Sequence, residues 1–345
     1  MQLFNDVYQL EERLDQGASA EVWKATETLT NTTLALKIYS PSSDMGTTGF
    51  QMLAHEFRIM VNANHQNLLK PLHFDICEKR PFLVLPYCKN GNIIKQRGTL
   101  TEQQAWKLLK DVAGGLAYLH AMKPPLIHQD IKPANILIAD NGDYMLTDFG
   151  VSTYAKANIS RGKEKNALLS AGTVAYMASE KFKTGSTPIM SSDIWSLGAT
   201  VYEMLTGDLP FGNDGGLTMS ANTEIPQLPD SFSPTLNSII TSCLAYESWN
   251  RPKAKYIYET ATEALRNLEN NQPVNSVQST VKPTQEPEPI ADPAPDPIPD
   301  PIPEPMPESE PVPAPTPTPP KPNYILITAM AVAGIAIGIA LALIV

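Results

Sequence analysis

Two different patterns of hydrophobic and polar residues occur in the first 270 positions of the chain. Among the first hundred residues, short runs rich in aliphatic and aromatic side chains are bounded by turn residues, which is typical of β-strands. The runs that predict strands are 21–25, 33–39 and 81–87. Between the last two, residues 51–63 have helical spacing, with Leu53, Phe57 and Met60 on one face. This part is predicted to be a sheet with one helix.

The later residues are predicted to be mostly helical. Thr101 and Gln104 form a capping-box pattern that begins a helix. Four apolar residues then share one face of that helix: Leu109, Val112, Leu116 and Leu119. Residues 191–206 are apolar almost all round and end at Gly207, which predicts a buried central helix. The predicted fold class is α+β, with a sheet-rich small lobe, a helical large lobe and a cleft between them.

The C-terminal part of the chain has a different composition. Nineteen of the 32 prolines lie between Pro273 and Pro322. Each proline fixes its own φ and favours extended geometry in the residue before it. Residues 269–322 are therefore predicted to be a disordered, Pro-rich acidic linker with polyproline II character, and residues 273–322 would reach roughly 155 Å when extended. We favour a spacer over a ligand for a polyproline-binding module.

Residues 324–345 carry no charge and consist almost entirely of Ile, Leu, Val, Ala, Met and Gly. As a helix they would be about 33 Å long, which is enough to cross the hydrocarbon core of a bilayer. One transmembrane helix is therefore predicted here, in preference to a buried core helix. Gly334 and Gly338 form a G-x-x-x-G pair, so this helix face is a candidate surface for a homodimer.

Charge and cysteine content exclude several function classes. The formal net charge is −10, and six of these net negative charges lie between Pro273 and Pro322. Because the globular part is only mildly acidic, no nucleic-acid partner is expected. Cys77, Cys88 and Cys243 have no C-x-x-C spacing, which indicates a reducing compartment without a disulfide framework or a structural zinc site. The first residues lack the basic and apolar regions of a signal peptide, so none is expected.

The most informative string is HQDIKPAN at residues 128–135, followed after a short turn by DFG at residues 148–150. The first string places a carboxylate (Asp130), an ammonium group (Lys132) and an amide (Asn135) on one loop. A hairpin then returns a second carboxylate, Asp148, to the same place. Phosphoryl transfer needs such a set, with a carboxylate to orient the attacking hydroxyl, a cation on the γ-phosphate and oxygen ligands for Mg²⁺.

With these motifs the sequence resembles the eukaryotic-type serine/threonine protein kinase family, and the resemblance extends over residues 8–268. It implies a two-lobed protein-kinase-like fold, ATP and Mg²⁺ as cofactors, and protein substrates with Ser or Thr acceptors. It also implies that Asp130 and Lys132 are catalytic, with Asp130 as the base. Asn135 and Asp148 would be the Mg²⁺ ligands.

The same resemblance implies a nucleotide site. Lys37 would reach the α- and β-phosphates and pair with Glu56, which lies within the apolar face of the helix predicted at 51–63. Leu85 resembles the residue that precedes the adenine-reading hinge. The other implied nucleotide contacts are Leu14, Gly17, Ala18, Ser19, Val22, Pro86 and Cys88.

Further along the chain, residues 172–180 resemble the end of an activation segment, which shapes the platform for a protein substrate. Asp193 resembles the residue that braces the catalytic loop, and Arg251 resembles the partner of Glu180. These pieces are individually weak patterns. Their order and spacing together are specific to the family.

Three motifs of the family are altered in this sequence. Gly17 alone remains of the three glycines in the nucleotide-binding loop, with Asp15 and Ala20 in the other two places. Gln129 stands where many kinases have the arginine that holds a phosphorylated activation loop, and an amide would do so poorly. Ser179 replaces a proline of the activation-segment motif.

The sequence therefore predicts a serine/threonine protein kinase anchored in the membrane by a single span. Its kinase domain is expected to be cytoplasmic because ATP is cytosolic, and Lys321 just before the span agrees with this orientation. The alternative is a pseudokinase scaffold that binds nucleotide and partners without efficient catalysis, although Lys37, Asp130 and Asp148 are all present. A small-molecule kinase is disfavoured by the platform-like residues 172–180.

Overall fold

The computed structural model describes residues 3–17, 20–39, 54, 57–149, 171–183 and 186–270. Five strands of the N-terminal part form one sheet in the order β1-β2-β3-β5-β4, and all neighbours are antiparallel. These strands are β1 (Tyr8–Gln16), β2 (Ala20–Glu27), β3 (Thr32–Tyr39), β4 (His73–Cys77) and β5 (Arg80–Pro86). A second, two-stranded antiparallel sheet is formed by β6 (Ile136–Ile138) and β7 (Tyr144–Leu146).

The two faces of β3 belong to different hydrophobic clusters. Leu34, Leu36 and Ile38 pack on the outer face of the sheet with residues of β1, β2 and β5. Successive side chains of a strand point to opposite faces, and Ala35 and Tyr39 accordingly join the main core that continues into the helical part. Lys37 lies between these two in sequence and therefore shares the face that is turned towards the helical lobe.

Helices dominate the rest of the described chain. The α-helices are α1 (residues 57–62), α2 (Glu102–His120), α3 (Ala171–Val174), α4 (Met190–Thr206), α5 (Pro234–Cys243) and α6 (Ala254–Glu269). Short 3₁₀ helices lie at Ile93–Gln96, Pro133–Asn135, Ser179–Phe182, Gly212–Thr218 and Ser248–Asn250. Helix α2 packs against α4 and most extensively against α6, while α4 also contacts α5. This arrangement confirms the prediction of a sheet-rich N-lobe and a helical C-lobe.

The predicted signals at two helix ends are confirmed. The Thr101 hydroxyl accepts a hydrogen bond from the Gln104 amide at 3.3 Å, and the Gln104 side chain accepts one from the Thr101 amide at 2.9 Å. Together these bonds satisfy two of the amides that a helix leaves unpaired at its start. Helix α4 is buried along almost its whole length and ends at Gly207, whose φ of 83° is left-handed.

The predicted strands were shorter than the observed ones or displaced by a residue. The strand predicted at 21–25 extends over Ala20–Glu27, and the one predicted at 81–87 occupies Arg80–Pro86. Strand β1 was not predicted because its residues are mostly exposed and polar. Its pairing with β2, and not its composition, makes it a strand. In the helix predicted at 51–63, helical backbone is described at residue 54 and in α1.

The predictions for the C-terminal part fall almost entirely outside the described residues. Helix α6 ends at Glu269, so the first residue assigned to the linker is still helical. Residues 271–322 and the apolar segment 324–345 lie outside the described part of the chain. Within the residues that are described, no helix combines the length and apolar character needed to cross a membrane.

Candidate active site

The loop between α2 and β6 brings three of the predicted site residues into contact. The Lys132 ammonium lies 3.1 Å from Asp130 Oδ1 and donates a hydrogen bond of 2.8 Å to the Thr173 hydroxyl. The Asn135 amide donates to Asp130 twice, at 2.7 Å to the backbone carbonyl and at 3.1 Å to Oδ2. The ammonium group and the amide therefore both lie within hydrogen-bonding distance of the Asp130 carboxylate.

Asp193, at the start of α4, holds this loop in place through hydrogen bonds to its backbone. Its carboxylate is 1% exposed and accepts hydrogen bonds from the backbone amides of His128 at 2.9 Å and Gln129 at 2.8 Å. The His120 imidazole, from the end of α2, lies 2.8 Å from the same carboxylate. Gln129 has a φ of 68°, a left-handed conformation that costs energy for a residue with a side chain. The predicted bracing role of Asp193 is thereby confirmed.

The His128 side chain connects the loop to the strand that leads to Asp148. Its Nδ1 accepts a hydrogen bond of 3.3 Å from the Asp130 amide, so Nε2 carries the hydrogen and donates to the Thr147 carbonyl at 3.0 Å. The imidazole is 1% exposed. Because both ring nitrogens form hydrogen bonds, the imidazole fixes the position of the Asp130 backbone relative to Thr147, the residue before Asp148.

Asp148 faces the N-lobe lysine. Its Oδ1 lies 2.6 Å from the Lys37 ammonium, and its backbone has a φ of 64°. Lys37 comes from the middle of β3, where it is paired in register with Val22 of β2 and Leu83 of β5. This ion pair links the sheet to the C-lobe loop. The expected partner of Lys37, Glu56, lies outside the described residues.

The other expected nucleotide contacts line the same strands. Val22 is the β2 neighbour of Lys37, and buried Leu85 is the β5 neighbour of Ala35 on the inner face. Pro86 ends β5. Cys88 follows it and is partly buried, and burial, with a smaller effect of the Asp140 charge, raises the pKa of its thiol.

The loop between β1 and β2 is described in part. Leu14 lies on β1 and is 42% exposed, and the Gly17 amide donates to the Ala20 carbonyl at 2.8 Å. Ala18 and Ser19, which were expected to contact the phosphates, lie outside the described residues.

Comparison with known sequences shows which family the chain belongs to. A family profile described as "Protein kinase domain" matches residues 8–261, which is most of the chain. The chain belongs to the protein kinase family. The relatives that it matches include proteins described as serine/threonine-protein kinases.

Three relatives show the extent of the similarity. A serine/threonine-protein kinase tousled-like 2 of Xenopus tropicalis is 29% identical over 272 residues, covering 72% of this chain and 39% of the relative. A probable serine/threonine-protein kinase of Dictyostelium discoideum is 31% identical, with 77% and 42% covered. The probable serine/threonine-protein kinase PknB of Bifidobacterium longum is 30% identical, with 74% and 38% covered. The chain thus spans about two fifths of the length of these relatives.

The end of the predicted activation segment is held by an ion pair between Glu180 and the fully buried side chain of Arg251. Arg251 donates from both terminal nitrogens to Glu180, at 2.7 Å and 2.9 Å, and Ser192 adds a hydroxyl donor at 2.7 Å. Burial by itself would raise the pKa of Glu180, but the hydrogen bonds and charge of Arg251, with Ser192, lower it below its usual value. The predicted pairing of Glu180 with Arg251 is confirmed.

One group of site residues was missed by the sequence reasoning. Glu203 on α4 contacts Tyr176 and Arg97 close to the catalytic loop. Its side chain is 5% exposed. A glutamate within a helix that is otherwise apolar on nearly every side was the available signal, because such a charge needs partners.

Proposed function

We propose that this protein transfers the γ-phosphoryl group of ATP to serine or threonine hydroxyls of protein substrates. The observation that carries the proposal is the contact set of Lys132, which reaches Asp130 and Thr173 at once. It connects the proposed base to the segment on which a protein substrate would lie. The serine/threonine specificity is supported by the names of the relatives.

Each residue of the loop has a distinct part in this reaction. Asp130 would orient the substrate hydroxyl and accept its proton as the oxygen attacks phosphorus. Lys132, held beside Asp130, would offset the negative charge on the transferred group. Lys37 would orient the α- and β-phosphates from the sheet. These groups act chiefly by positioning and electrostatics, which is where catalysis of phosphoryl transfer arises.

Asn135 and Asp148 would hold Mg²⁺. An amide oxygen and a carboxylate are hard donors that suit this ion, and nucleotide phosphates commonly supply further ligands. The ion would neutralise charge on the phosphates.

A transfer assay with full-length protein tests the proposal. Wild-type protein with ATP and Mg²⁺ is expected to phosphorylate a generic protein substrate on Ser or Thr, as read by mass spectrometry. Asp130→Asn and Asp148→Ala are each expected to reduce the rate at least about 100-fold. Asp140→Asn, at an exposed carboxylate paired with Lys89, is the matched control and should be near normal. Nucleotide binding without transfer by the wild type would instead establish the pseudokinase alternative.

We further propose that phosphorylation of the activation segment is weakly coupled to activity. Gln129 has no charge to pair with a phosphate, and its carbonyl accepts a 2.8 Å hydrogen bond from Lys181, which orders the loop by another route. The candidate acceptors are Thr153, Ser160, Ser170 and Thr173. The first three lie outside the described residues, and the Thr173 hydroxyl accepts a hydrogen bond of 2.8 Å from Lys132. Phosphatase treatment is expected to leave most of the activity. If phosphatase treatment abolished the activity, and Gln129→Arg made no difference, this proposal would be overturned.

We also propose a single membrane span at residues 324–345, with the kinase domain in the cytoplasm. Its support is the 22-residue uncharged sequence itself. Protease added outside intact cells is expected to spare the kinase domain, and cleavage there would contradict the topology.

Dimerisation through Gly334 and Gly338 is tested by crosslinking, with Gly334→Ile/Gly338→Ile as the variant expected to lose the dimer.

A further inference from the structure

An irregularity near the end of β1 changes the face to which its side chains point. Arg13 is paired in register with Trp23 of β2. Asp15 is paired with Val22, so the register passes over Leu14. Such an extra residue is a β-bulge, which redirects the side chains that follow it. Without the bulge, Arg13 and Asp15 would point to the same face, as residues two positions apart in a strand do.

The contacts of the two β2 residues show the direction of each side chain. Trp23 packs on the hydrophobic cluster of the outer face, and the Arg13 guanidinium lies 6.0 Å from the centre of a Trp23 ring. Val22 instead packs against the main core on the inner face, where it is also paired with Lys37 of β3. Residues paired directly across two strands share a face. The bulge therefore turns Asp15 to the inner face.

Asp15, Val22 and Lys37 thus form a row across three strands. Neighbouring strands are about 4.8 Å apart, so the Cα atoms of Asp15 and Lys37 are separated by roughly 10 Å. This separation is close to the distance over which salt screens a charge, ~8 Å at physiological ionic strength. A carboxylate and an ammonium group therefore both act on a ligand that binds at this face of the sheet.

The Asp15 carboxylate is exposed, and its charge is not neutralised by a neighbour. Its Oδ1 accepts a hydrogen bond of 2.8 Å from the amide of the next residue, Gln16. Within the described part of the chain, no cationic side chain forms an ion pair with Asp15. The net negative charge is therefore available to repel an anionic ligand.

We propose that Asp15 determines which form of the nucleotide this kinase binds, by excluding metal-free ATP in favour of the Mg²⁺ complex. The inference rests on the proposed function, because it concerns the nucleotide of that same active site. Asp15 is thereby assigned as a specificity-determining residue, at a position where the family pattern has a glycine without any charge.

Electrostatics gives the reason for this preference. Lys37 attracts the phosphates, whereas Asp15 repels them, and the repulsion grows with the negative charge of the nucleotide. Mg²⁺ neutralises part of that charge, so the complex is repelled less than the free nucleotide. Discrimination commonly depends on such a repulsive element as well as on attractive contacts. Metal-free ATP would otherwise occupy the site without being able to react.

The test measures binding by titration calorimetry with full-length protein. The ligands are adenosine, AMP, ADP and ATP in EDTA, and ATP with excess Mg²⁺. Asp15→Asn keeps the size of the side chain and an acceptor for the Gln16 amide, but removes the charge. It is expected to strengthen binding of metal-free ATP about tenfold, and binding of the Mg²⁺ complex less than about threefold. Adenosine should bind equally to both proteins, with AMP and ADP showing intermediate gains.

Asp75→Asn is the matched control. Asp75 Oδ1 also accepts a hydrogen bond from the amide of the next residue, at 2.7 Å. It lies on β4 at the opposite edge of the sheet, and its partner Phe82 belongs to the outer cluster. Its replacement should leave every affinity near that of the wild type.

The possible results separate this inference from the proposed function. An unchanged affinity of Asp15→Asn for metal-free ATP would overturn the assignment, and so would an equal gain for adenosine and ATP. A gain as large in Asp75→Asn would show that overall charge, and not Asp15, is responsible. If the wild type binds no nucleotide under any of these conditions, the proposed function and this inference both fail.

Discussion

Arg251 and Glu180 form a two-point ion pair although they are 71 positions apart in the chain. The arginine side chain is fully buried, and it also donates to the carbonyls of Ala245, Ser191 and Tyr246. The last residue of segment 172–180 is thereby tied to the start of α4 and to the connection between α5 and α6. Because the Arg251 side chain is fully buried and the Glu180 side chain is only 16% exposed, losing one partner leaves the charge of the other uncompensated.

Arg251→Met is therefore expected to destabilise the protein by about 3–5 kcal/mol, the usual cost of leaving a buried charge without its partner. Urea unfolding followed by circular dichroism measures the change. The matched control is Lys255→Met, which removes a cation from an i,i+4 pair whose side chains are 80% and 60% exposed. That substitution should cost less than about 1 kcal/mol. Equal costs for the two variants would contradict the structural role of Arg251.

The ion pair also predicts a pH dependence. The pKa of Glu180 is lower in the folded protein than in the unfolded chain, so the unfolded state binds more protons as the pH falls. Stability contributed by Glu180 is present above its unfolded pKa and is lost as the pH falls through its folded pKa. Below about pH 5 the free energy of unfolding should fall more steeply for wild type than for Glu180→Gln. Parallel pH profiles would show that Glu180 is not responsible.

The brace between Asp193 and the catalytic loop predicts a loss of turnover. Asp193→Asn replaces one of two acceptor oxygens with a donor that faces a backbone amide, so Gln129 loses support for its left-handed backbone. We expect kcat to fall roughly 10- to 100-fold with a small change in KM for ATP. Steady-state kinetics measure both constants.

The control for this variant is Thr200→Val on the same helix. The Thr200 hydroxyl donates to the Ser196 carbonyl at 2.7 Å and is fully buried, away from the loop contacts of Asp193. Its removal should lower stability by about 1 kcal/mol and leave kcat near normal. An equal fall in kcat for both variants would mean that Asp193 acts through general stability.

The contact between Gly216 and the substrate platform predicts a selective effect on protein substrates. A Cβ at Gly216 would lie 2.3 Å from the Ser179 amide nitrogen and 2.7 Å from the Ala178 carbonyl carbon. These neighbouring atoms belong to the backbone, so no flexible side chain can move aside. Gly216→Ala must therefore displace the platform. We expect a several-fold rise in KM for protein substrate, an unchanged KM for ATP and a stability loss of about 1–3 kcal/mol.

Gly212→Ala in the same 3₁₀ segment is the control for that effect. Gly212 has a φ of 62°, and an added Cβ there would meet no atom within 4 Å. Alanine at this position introduces backbone strain of about 1 kcal/mol without pushing on the platform. Both KM values should therefore stay near those of the wild type. A comparable rise in KM for protein substrate would assign the effect to loop strain.

Much of the fold was predictable from short-range pattern. The capping box at Thr101 and Gln104, the buried central helix and the run that forms β3 each depend on residues a few positions apart, and local geometry relates such residues directly. The order of HQDIKPAN and DFG likewise predicted that these two loops lie side by side, and His128 joins the Asp130 amide to the Thr147 carbonyl. Strand β1 was not predictable in this way, because a polar, exposed strand is defined by its neighbour's hydrogen bonds.

By itself, the sequence determined several of the strands and helices, the apolar faces of the predicted helices, and the string that bears the reactive groups. The tertiary structure alone decided the partners of the charged residues. Lys37 meets Asp148, and Glu203 is shared by Tyr176 and Arg97, residues 27 and 106 positions earlier in the chain. Periodicity reports only whether a residue faces the core. The choice among several possible partners depends on side-chain distances that exist only after the lobes and helices have packed.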